Sequence, residues 1–251
     1  MKHLIHTMAA AAALMGAASA QAGIGNGGFE EDLAHWMLSG DGAVSAGYFG
    51  AAPTEGLKQL VLTTAAAAYA DDAPWPVGHA NVSGAEPTAA GFALEAFAGV
   101  APGALDPDAA TALQAYEGSA VRQSFAAAAG ATLRLRFNFL TTEAGAANPL
   151  ADYAFAVIDG TVVRLASTAD AASPLAGFGM QTGYATFSHT FAAGGTHELV
   201  LGVVDVGDYE RSSALLVDRV QLAAPVPEPA TLALMGLGLA AMGVARRRAR
   251  G

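Results

Sequence analysis

The stretch ATLRLRFNFL, residues 131–140, decides the fold class. Apolar and polar side chains alternate along it without a break. The apolar positions are Leu133, Leu135, Phe137 and Phe139, and the polar positions are Arg134, Arg136 and Asn138. Because successive side chains of a β-strand point to opposite faces, this alternation predicts a strand with one buried and one solvated face.

Two hairpins are predicted downstream of this strand. In DYAFAVIDGTVVRLAS, residues 152–167, Asp159 and Gly160 separate two apolar runs. An Asp-Gly pair is typical of tight hairpin turns, whose central positions need positive φ. YATFSHTFAAGGTHELVLGVVDVGD, residues 184–208, repeats this arrangement around Gly194 and Gly195 and therefore predicts a second hairpin.

Further strands are predicted at 57–64, 119–125 and 213–222. At least eight short strands with Gly-rich turns, and no regular alternation with long helices, predict an all-β fold. The expected architecture is an antiparallel β-sandwich of jelly-roll type. Residues 65–117 contain several prolines, so we interpret them as a long connection with short helical pieces near 92–98 and 108–115.

The charge and the absence of cysteine restrict the function. The 251 residues include 12 Lys and Arg against 22 Asp and Glu, for a net charge of −10. Such a surface repels phosphate backbones, so nucleic acid is not an expected partner, whereas calcium is a suitable one. With no cysteine, the chain has no disulfide, no catalytic thiol and no thiolate metal site.

The two ends of the chain differ from its centre. Residues 1–22 contain Lys2, an apolar run and then small residues, a pattern typical of a secretory signal peptide. An ordinary N-terminal helix is the alternative. We therefore divide the chain into a signal peptide at 1–22, an extracellular β-sandwich domain at 23–224 and a sorting and anchor segment at 225–251.

The last segment has the composition of a short membrane helix. Residues 231–245 are uncharged and would span about 22 Å as a helix, less than the roughly 30 Å of a bilayer core. The arginines that follow would stay in the cytoplasm, which places the central domain outside. A permanent membrane anchor is one interpretation, and a helix that is recognised and then cleaved is the other.

The stretch VPEPATLALMGLGLAAMGVARRR, residues 226–248, resembles the PEP-CTERM sorting signal. The resemblance rests on a Pro-Glu-Pro triplet, a short apolar helix and a terminal arginine cluster, in that order. These sorting residues are Pro227, Glu228, Pro229, Arg246, Arg247 and Arg248. The resemblance implies processing by an exosortase in the inner membrane of a Gram-negative bacterium, and delivery to the envelope or an exopolysaccharide matrix.

Sequence blocks of the central region, from NGGFEEDLAHW at 26–36 to VVDVGDYERSSALLVDRVQL at 203–222, carry a second resemblance. They are similar to the jelly-roll extracellular domains of PEP-CTERM proteins, which resemble galactose-binding-like carbohydrate modules. In such modules a Glu of the opening block and an Asp of the last strand bind a structural calcium ion. The matching residues in this chain are Glu30 and Asp218.

Asp218 also stands out without the resemblance. It lies on the strand face whose other residues are Leu216, Val220 and Leu222, so it is predicted to point inward. A buried carboxylate costs several kcal/mol, roughly, unless it is paired or bound to a metal. The alternatives to calcium are hydrogen bonds to backbone amides, or a bulge that turns Asp218 to solvent.

Other candidate ligand residues give weaker patterns. Asp205, Asp208 and Glu210 are close in sequence but lack an EF-hand pattern, so we interpret them as a solvated turn. Trp75, between two prolines, is the candidate for stacking on a sugar ring, whereas Trp36 is expected in the core.

No catalytic motif accompanies these residues. His189 and His197 are expected on adjacent hairpin strands, but neither H-E-x-x-H nor G-x-S-x-G is present. A glycan hydrolase would need two facing carboxylates, which no spacing in the sequence reveals. The sequence thus predicts an exported, non-catalytic β-sandwich protein of the envelope or matrix that serves adhesion or structure. The alternative is a carbohydrate-binding module that retains polysaccharide.

Overall fold

A computed structural model describes residues 23–67, 80–107, 113–143, 151–209 and 211–225. These ranges contain strands and one α-helix, with short 3-10 turns at Tyr48–Gly50 and Thr168–Asp170. The elements are β1 Met37–Ser39, β2 Asp41–Ser45, β3 Gln59–Thr63, β4 Thr88–Ala89, α1 Ala93–Ala98, β5 Ala115–Ala127, β6 Thr132–Thr141, β7 Tyr153–Ile158, β8 Thr161–Ser167, β9 Ser173–Leu175, β10 Gly179–Gln181, β11 Ala185–Thr190, β12 Gly195–Val206 and β13 Ser213–Ala223.

The strands form two antiparallel sheets that pack face to face. Sheet A has the order β1-β5-β12-β7-β8, with β4 also paired to β5. Sheet B has the order β2-β3-β13-β6-β10-β9, with β11 also paired to β6. The prediction of an all-β, jelly-roll type sandwich with very little helix is confirmed.

The core lies between the sheets. Alternate residues of β6 lie in it, together with residues of β3 and β13 from sheet B and of β5, β7 and β12 from sheet A. The β6 residues are Leu133, Leu135, Phe137 and Phe139. The opposite face of β6 is only partly solvated, because Asn138 and Leu140 are buried and Leu140 belongs to an apolar cluster with Phe178.

One predicted hairpin is present and the other is not. β7 and β8 meet at Asp159 and Gly160, which have φ of 49° and 77° as a primed turn requires. The prediction around Gly194 and Gly195 is wrong, because β11 pairs with β6 in sheet B whereas β12 pairs with β5 in sheet A. The chain crosses between the sheets there, and Phe191 is buried at the crossing.

The described part of the long connection packs on both sheets, with Ala80 and Val82 on the outer face of sheet B and helix α1 on the outer face of sheet A. Its helix α1 matches the helical piece predicted near 92–98, and Leu94 and Ala98 contact the apolar outer residues of this sheet. The second piece predicted at 108–115 falls partly on residues 108–112, outside the described ranges. It is wrong at its end, because β5 begins at Ala115.

A buried carboxylate joins this connection to the sandwich. Asp41 of β2 is fully buried and accepts hydrogen bonds from Thr63 Oγ1 and from the backbone N–H groups of Val82 and Ser83 at 2.9 and 2.8 Å. The Ser83 hydroxyl donates a further bond of 2.6 Å. These donors compensate the burial of the charge, so Asp41 fixes the 82–83 segment against β3.

No helix within the described ranges is both long and apolar enough to cross a bilayer. The signal peptide predicted at 1–22 and the membrane helix predicted at 231–245 lie outside those ranges, and both stay predictions.

We expect Leu201→Ala to lower the free energy of unfolding by about 2–5 kcal/mol, because Leu201 is fully buried between the sheets and its loss leaves a cavity. Leu57→Ala is the matched control, since Leu57 is 75% exposed. Urea unfolding of the two variants measures the difference. Equal losses would contradict the position of the core.

Candidate functional site

Glu30 and Asp218, the predicted calcium ligands, contact the same loop, residues 54–58. Asp218 Oδ2 accepts bonds from the backbone N–H groups of Thr54 and Glu55 at 2.7 and 2.8 Å. The Thr54 hydroxyl donates a further bond to the same oxygen. Glu30 Oε1 accepts from the N–H groups of Leu57 and Lys58 at 2.7 and 2.9 Å. The opening segment and the last strand therefore converge on one loop.

Asp218 is fully buried, as predicted, but on the other face of the strand. Leu215, Val217 and Val220 lie in the core between the sheets, whereas Leu216 belongs to the apolar cluster on the outer face of sheet B. The prediction that positions 216, 218 and 220 share one face is wrong. A β-bulge between 218 and 221, with Arg219 at φ 55°, changes the alternation.

A calcium ion fits this arrangement only in part. The Asp218 carboxylate already accepts four hydrogen bonds, the fourth from the Arg219 N–H to Oδ1, which uses its acceptor capacity. In the described part of the chain, Glu30 Oε2 has no hydrogen bond. No three carboxylate or imidazole groups there surround a point in the manner of a metal site. The bonds to backbone amides match the alternative weighed from the sequence.

The remaining predicted site residues are the ligand-binding and sorting residues. Trp75 and the sorting residues, which are Pro227, Glu228, Pro229, Arg246, Arg247 and Arg248, lie outside the described ranges. Trp36 is buried, as expected, and packs on Phe29 with ring centroids 5.4 Å apart.

Carboxylates gather at one end of the sandwich, which we call the acidic end. Its members come from the ends of four strands and from a loop. They are Glu117 of β5, Glu143 after β6, Asp152 before β7, Asp205 of β12 and Asp208 in the loop that follows. Asp205 pairs directly with Glu117 across the β12–β5 ladder, next to a bulge. Antiparallel pairing thus places two carboxylates side by side.

Two members of the acidic end hold neighbouring loops. Asp152 Oδ1 accepts a bond of 2.9 Å from the Val206 N–H, and its Oδ2 accepts a bond of 2.5 Å from the Ser213 hydroxyl. Glu143 accepts a bond of 2.8 Å from the Thr168 hydroxyl. The bonds of Asp152 connect the start of β7 to β12 and β13, and the bond of Glu143 connects the end of β6 to the turn after β8.

The acidic end holds protons more tightly than isolated carboxyls do. Burial raises the pKa of Asp205 from 3.8 to about 11, and the charges of Asp152, Asp208, Glu117 and Glu143 raise it further in the same direction. Burial likewise raises the pKa values of Asp152 and Glu143. Asp205 is only 2% exposed. The interpretation of this residue as part of a solvated turn is therefore wrong, because its strand continues to Val206.

An aromatic pair lies beside these carboxylates. Tyr116 and Tyr209 pack edge to face with ring centroids 4.9 Å apart, and Tyr209 is 48% exposed. Burial and the charge of Glu117 raise the pKa of Tyr209, so its hydroxyl stays protonated and able to donate. An exposed ring next to carboxylate acceptors is an arrangement that suits a sugar.

A second polar surface lies on sheet A. A cleft of about 430 Å³ there is lined by His35, Met37, Arg122, Gln123 and Glu198, among others. Its size and mixed lining fall in the range of small-ligand sites.

The two histidines considered from the sequence do not form a catalytic pair. His189 and His197 lie on strands of different sheets and each packs against Phe191, at centroid distances of 4.9 and 4.2 Å. His197 Nδ1 lies 2.6 Å from Asp159 Oδ2, a contact that closes the β7–β8 turn onto β12.

Comparison with known proteins gives two findings on family and fold. Residues 225–249 match the model of the PEP-CTERM protein-sorting motif. No curated protein sequence matches the chain. The motif indicates an exported protein that is anchored or processed at the cell envelope by an exosortase.

Two solved structures are similar to this chain at TM-scores below 0.5. One is TmCBM61, a carbohydrate-binding module in complex with beta-1,4-galactotriose, at 12% identity and a TM-score of 0.41, covering 82% of this chain and 99% of the module. Another is the enzymatically active domain of bacteriophage CBA120 tailspike protein 4, at 10% identity and a TM-score of 0.35. That alignment covers 80% of this chain and 21% of the tailspike chain. The likeness concerns the β-sandwich alone.

We expect Asp205→Asn to flatten the pH dependence of stability. The folded protein keeps the Asp205 proton up to about pH 11 whereas the unfolded chain releases it near 3.8, so wild-type stability decreases as pH rises between these values. Asn carries no such proton, and the variant should gain stability relative to wild type from about pH 5 to about pH 9. Urea unfolding in EDTA measures this.

Glu31→Gln is the control for Asp205→Asn, because Glu31 is exposed. Parallel pH profiles for wild type and Asp205→Asn would show that the carboxylates of the acidic end do not share the predicted repulsion.

Proposed function

We propose that the protein is an exosortase substrate that resides in the cell envelope or an exopolysaccharide matrix, where its β-sandwich acts as a non-catalytic structural or adhesive module. The sorting motif carries this proposal. Strand β13 ends at Ala223 and the matched motif begins at residue 225, so almost no linker separates the sandwich from the sorting segment. The domain would stand directly at the membrane surface until processing releases it.

We expect deletion of residues 227–229 to prevent processing, because it removes the Pro-Glu-Pro triplet and keeps the apolar stretch and the arginines. The protein would then accumulate in the inner-membrane fraction at full length, whereas wild type would reach the outer envelope or the medium in a shorter form. Fractionation and mass spectrometry of a tagged chain distinguish the two. Unchanged sorting would refute the exosortase part of the proposal.

Carbohydrate capture is the second candidate function. Two observations favour it, namely the half-exposed Tyr209 beside the carboxylates of the acidic end and the cleft on sheet A. Trp75 remains a proposed ligand-binding residue on the strength of its sequence context. In this function the module would retain polysaccharide at the cell surface without cleaving it.

We expect Tyr209→Ala and Trp75→Ala each to weaken retention of the protein on its polysaccharide, by roughly five- to tenfold if a sugar ring stacks on the aromatic face. Phe92→Ala is the matched control, because Phe92 is 72% exposed and lies at α1, on the outer face of sheet A. A pull-down with isolated matrix polysaccharide measures retention. Undiminished retention of a variant would exclude its residue.

A structural calcium ion at Glu30 and Asp218 is a further proposal. Its support is that both residues hold the 54–58 loop, one from the opening segment and one from the last strand. The ion would have to replace some of the amide donors to Asp218. We expect EDTA to lower the melting temperature of the purified protein, and calcium to restore it. An unchanged melting temperature would contradict the calcium proposal and would favour the arrangement in which Asp218 is bonded only to backbone amides and the Thr54 hydroxyl.

A further inference from the structure

Three arginines line one cleft of this acidic protein. The cleft, about 280 Å³ in volume, lies on the outer face of sheet B. Arg134 and Arg136 of β6 line it together with Arg219 of β13, and Thr186 and Gln221 complete the polar lining. We call it the arginine cleft. A cluster of guanidinium groups contrasts with a net charge of −10 for the whole chain.

The bulge in β13 assembles this cleft. Arg134 and Arg136 are two positions apart and so project from the same face of β6. Across the ladder, Asp218 pairs with Arg136 and Gln221 pairs with Arg134, which leaves residues 219 and 220 opposite a single position of β6. The extra residue puts Arg219 at φ 55° and brings its side chain to the same surface.

Arg136 and Arg219 are held by neighbouring groups, whereas the guanidinium of Arg134 keeps its donors free. Arg136 donates from Nη1 to Thr186 Oγ1 at 2.8 Å and from Nη2 to the Tyr184 carbonyl at 3.0 Å. A guanidinium has five N–H donors, so Arg136 retains several. Within the described ranges, the guanidinium of Arg134 has no hydrogen bond or ion pair, although its backbone pairs with β11 and β13. Its fork can therefore bind an external anion in a bidentate manner.

Two acidic residues adjoin the arginine cleft. Glu55 Oε2 lies 2.8 Å from Arg219 Nε and accepts a bond from Gln221 Nε2. Asp218 is fully buried, and its carboxylate is bonded to the 54–58 loop. Three cations thus face one exposed anion. The acidic residues farther away repel an anion in the cleft more weakly, because salt screens charges beyond about 8–10 Å.

We propose that the arginine cleft binds the carboxylate groups of an acidic polysaccharide. This inference rests on the matrix location under the proposed function and names the ligand class. The Cα atoms of Arg134 and Arg136 are about 7 Å apart along an extended strand, which suits two anionic groups on neighbouring units of a polymer. Nucleic acid fits less well, since the acidic remainder of the surface repels its closely spaced phosphates.

The test is calorimetric titration of the full-length protein with oligogalacturonate, with a neutral galactan oligomer of similar length and with single-stranded DNA. We expect binding of oligogalacturonate that weakens as NaCl rises, and weaker binding of the other two. Arg134→Gln should reduce the affinity roughly five- to tenfold, because one charge-assisted contact is lost. Arg164→Gln removes an equal charge from β8 of sheet A and is the matched control.

Glu55→Gln is expected to change the affinity for oligogalacturonate in the opposite direction. It removes the anion that neutralises Arg219 and should strengthen the binding of oligogalacturonate. The C-terminal arginines are common to all variants, so they do not account for differences between them. The proposal is overturned by equal losses in Arg134→Gln and Arg164→Gln, by equal binding of DNA, or by no binding of oligogalacturonate. Preferential binding of the neutral oligomer would overturn it and still support carbohydrate capture.

Discussion

The apolar contact between sheets A and B is the interaction on which the rest of this structure depends. A chain without cysteine has no covalent cross-link between its strands, so the strands stay in place because their inner faces exclude water together. Residues such as Phe139 and Leu201 are fully buried at this contact. The loops that carry the polar groups are attached to these two sheets, so the positions of the loops depend on the contact between the sheets.

Buried carboxylates hold the loops against the two sheets by hydrogen bonds. Asp41, Asp152 and Asp218 are each at most 1% exposed, and each accepts bonds from backbone N–H groups of a segment distant in sequence. A buried carboxyl group is costly unless such donors satisfy it, and removal of either partner leaves a buried polar group without a hydrogen bond. The acidic residues therefore have two roles, since exposed ones set the surface charge and buried ones hold loops by hydrogen bonds. In many other exported domains, disulfides hold such loops.

The two charged surfaces of the domain follow from this arrangement. At the acidic end, strand pairing sets Asp205 against Glu117, and burial keeps protons on carboxyls that would otherwise repel each other. On sheet B, the Asp218 carboxylate accepts hydrogen bonds from the 54–58 loop. One sandwich thus presents an acidic end and a cationic cleft, and the sorting motif indicates export to the cell envelope.

The sequence by itself determined the β-sandwich class, the alternation in β6, the turn at Asp159 and Gly160, the helix at 92–98 and the sorting motif, because each depends on residues close together in the chain. Glu30 and Asp218 could be assigned to one site only through a resemblance. Tertiary structure alone decided that β11 and β12 lie in different sheets, that a bulge puts Val220 in the core while Asp218 lies on the outer face, and that the acidic end and the arginine cleft form. Pairing between distant strands and a one-residue shift of register leave no periodic trace in the sequence, since their energy comes from contacts that exist only after the sheets have packed.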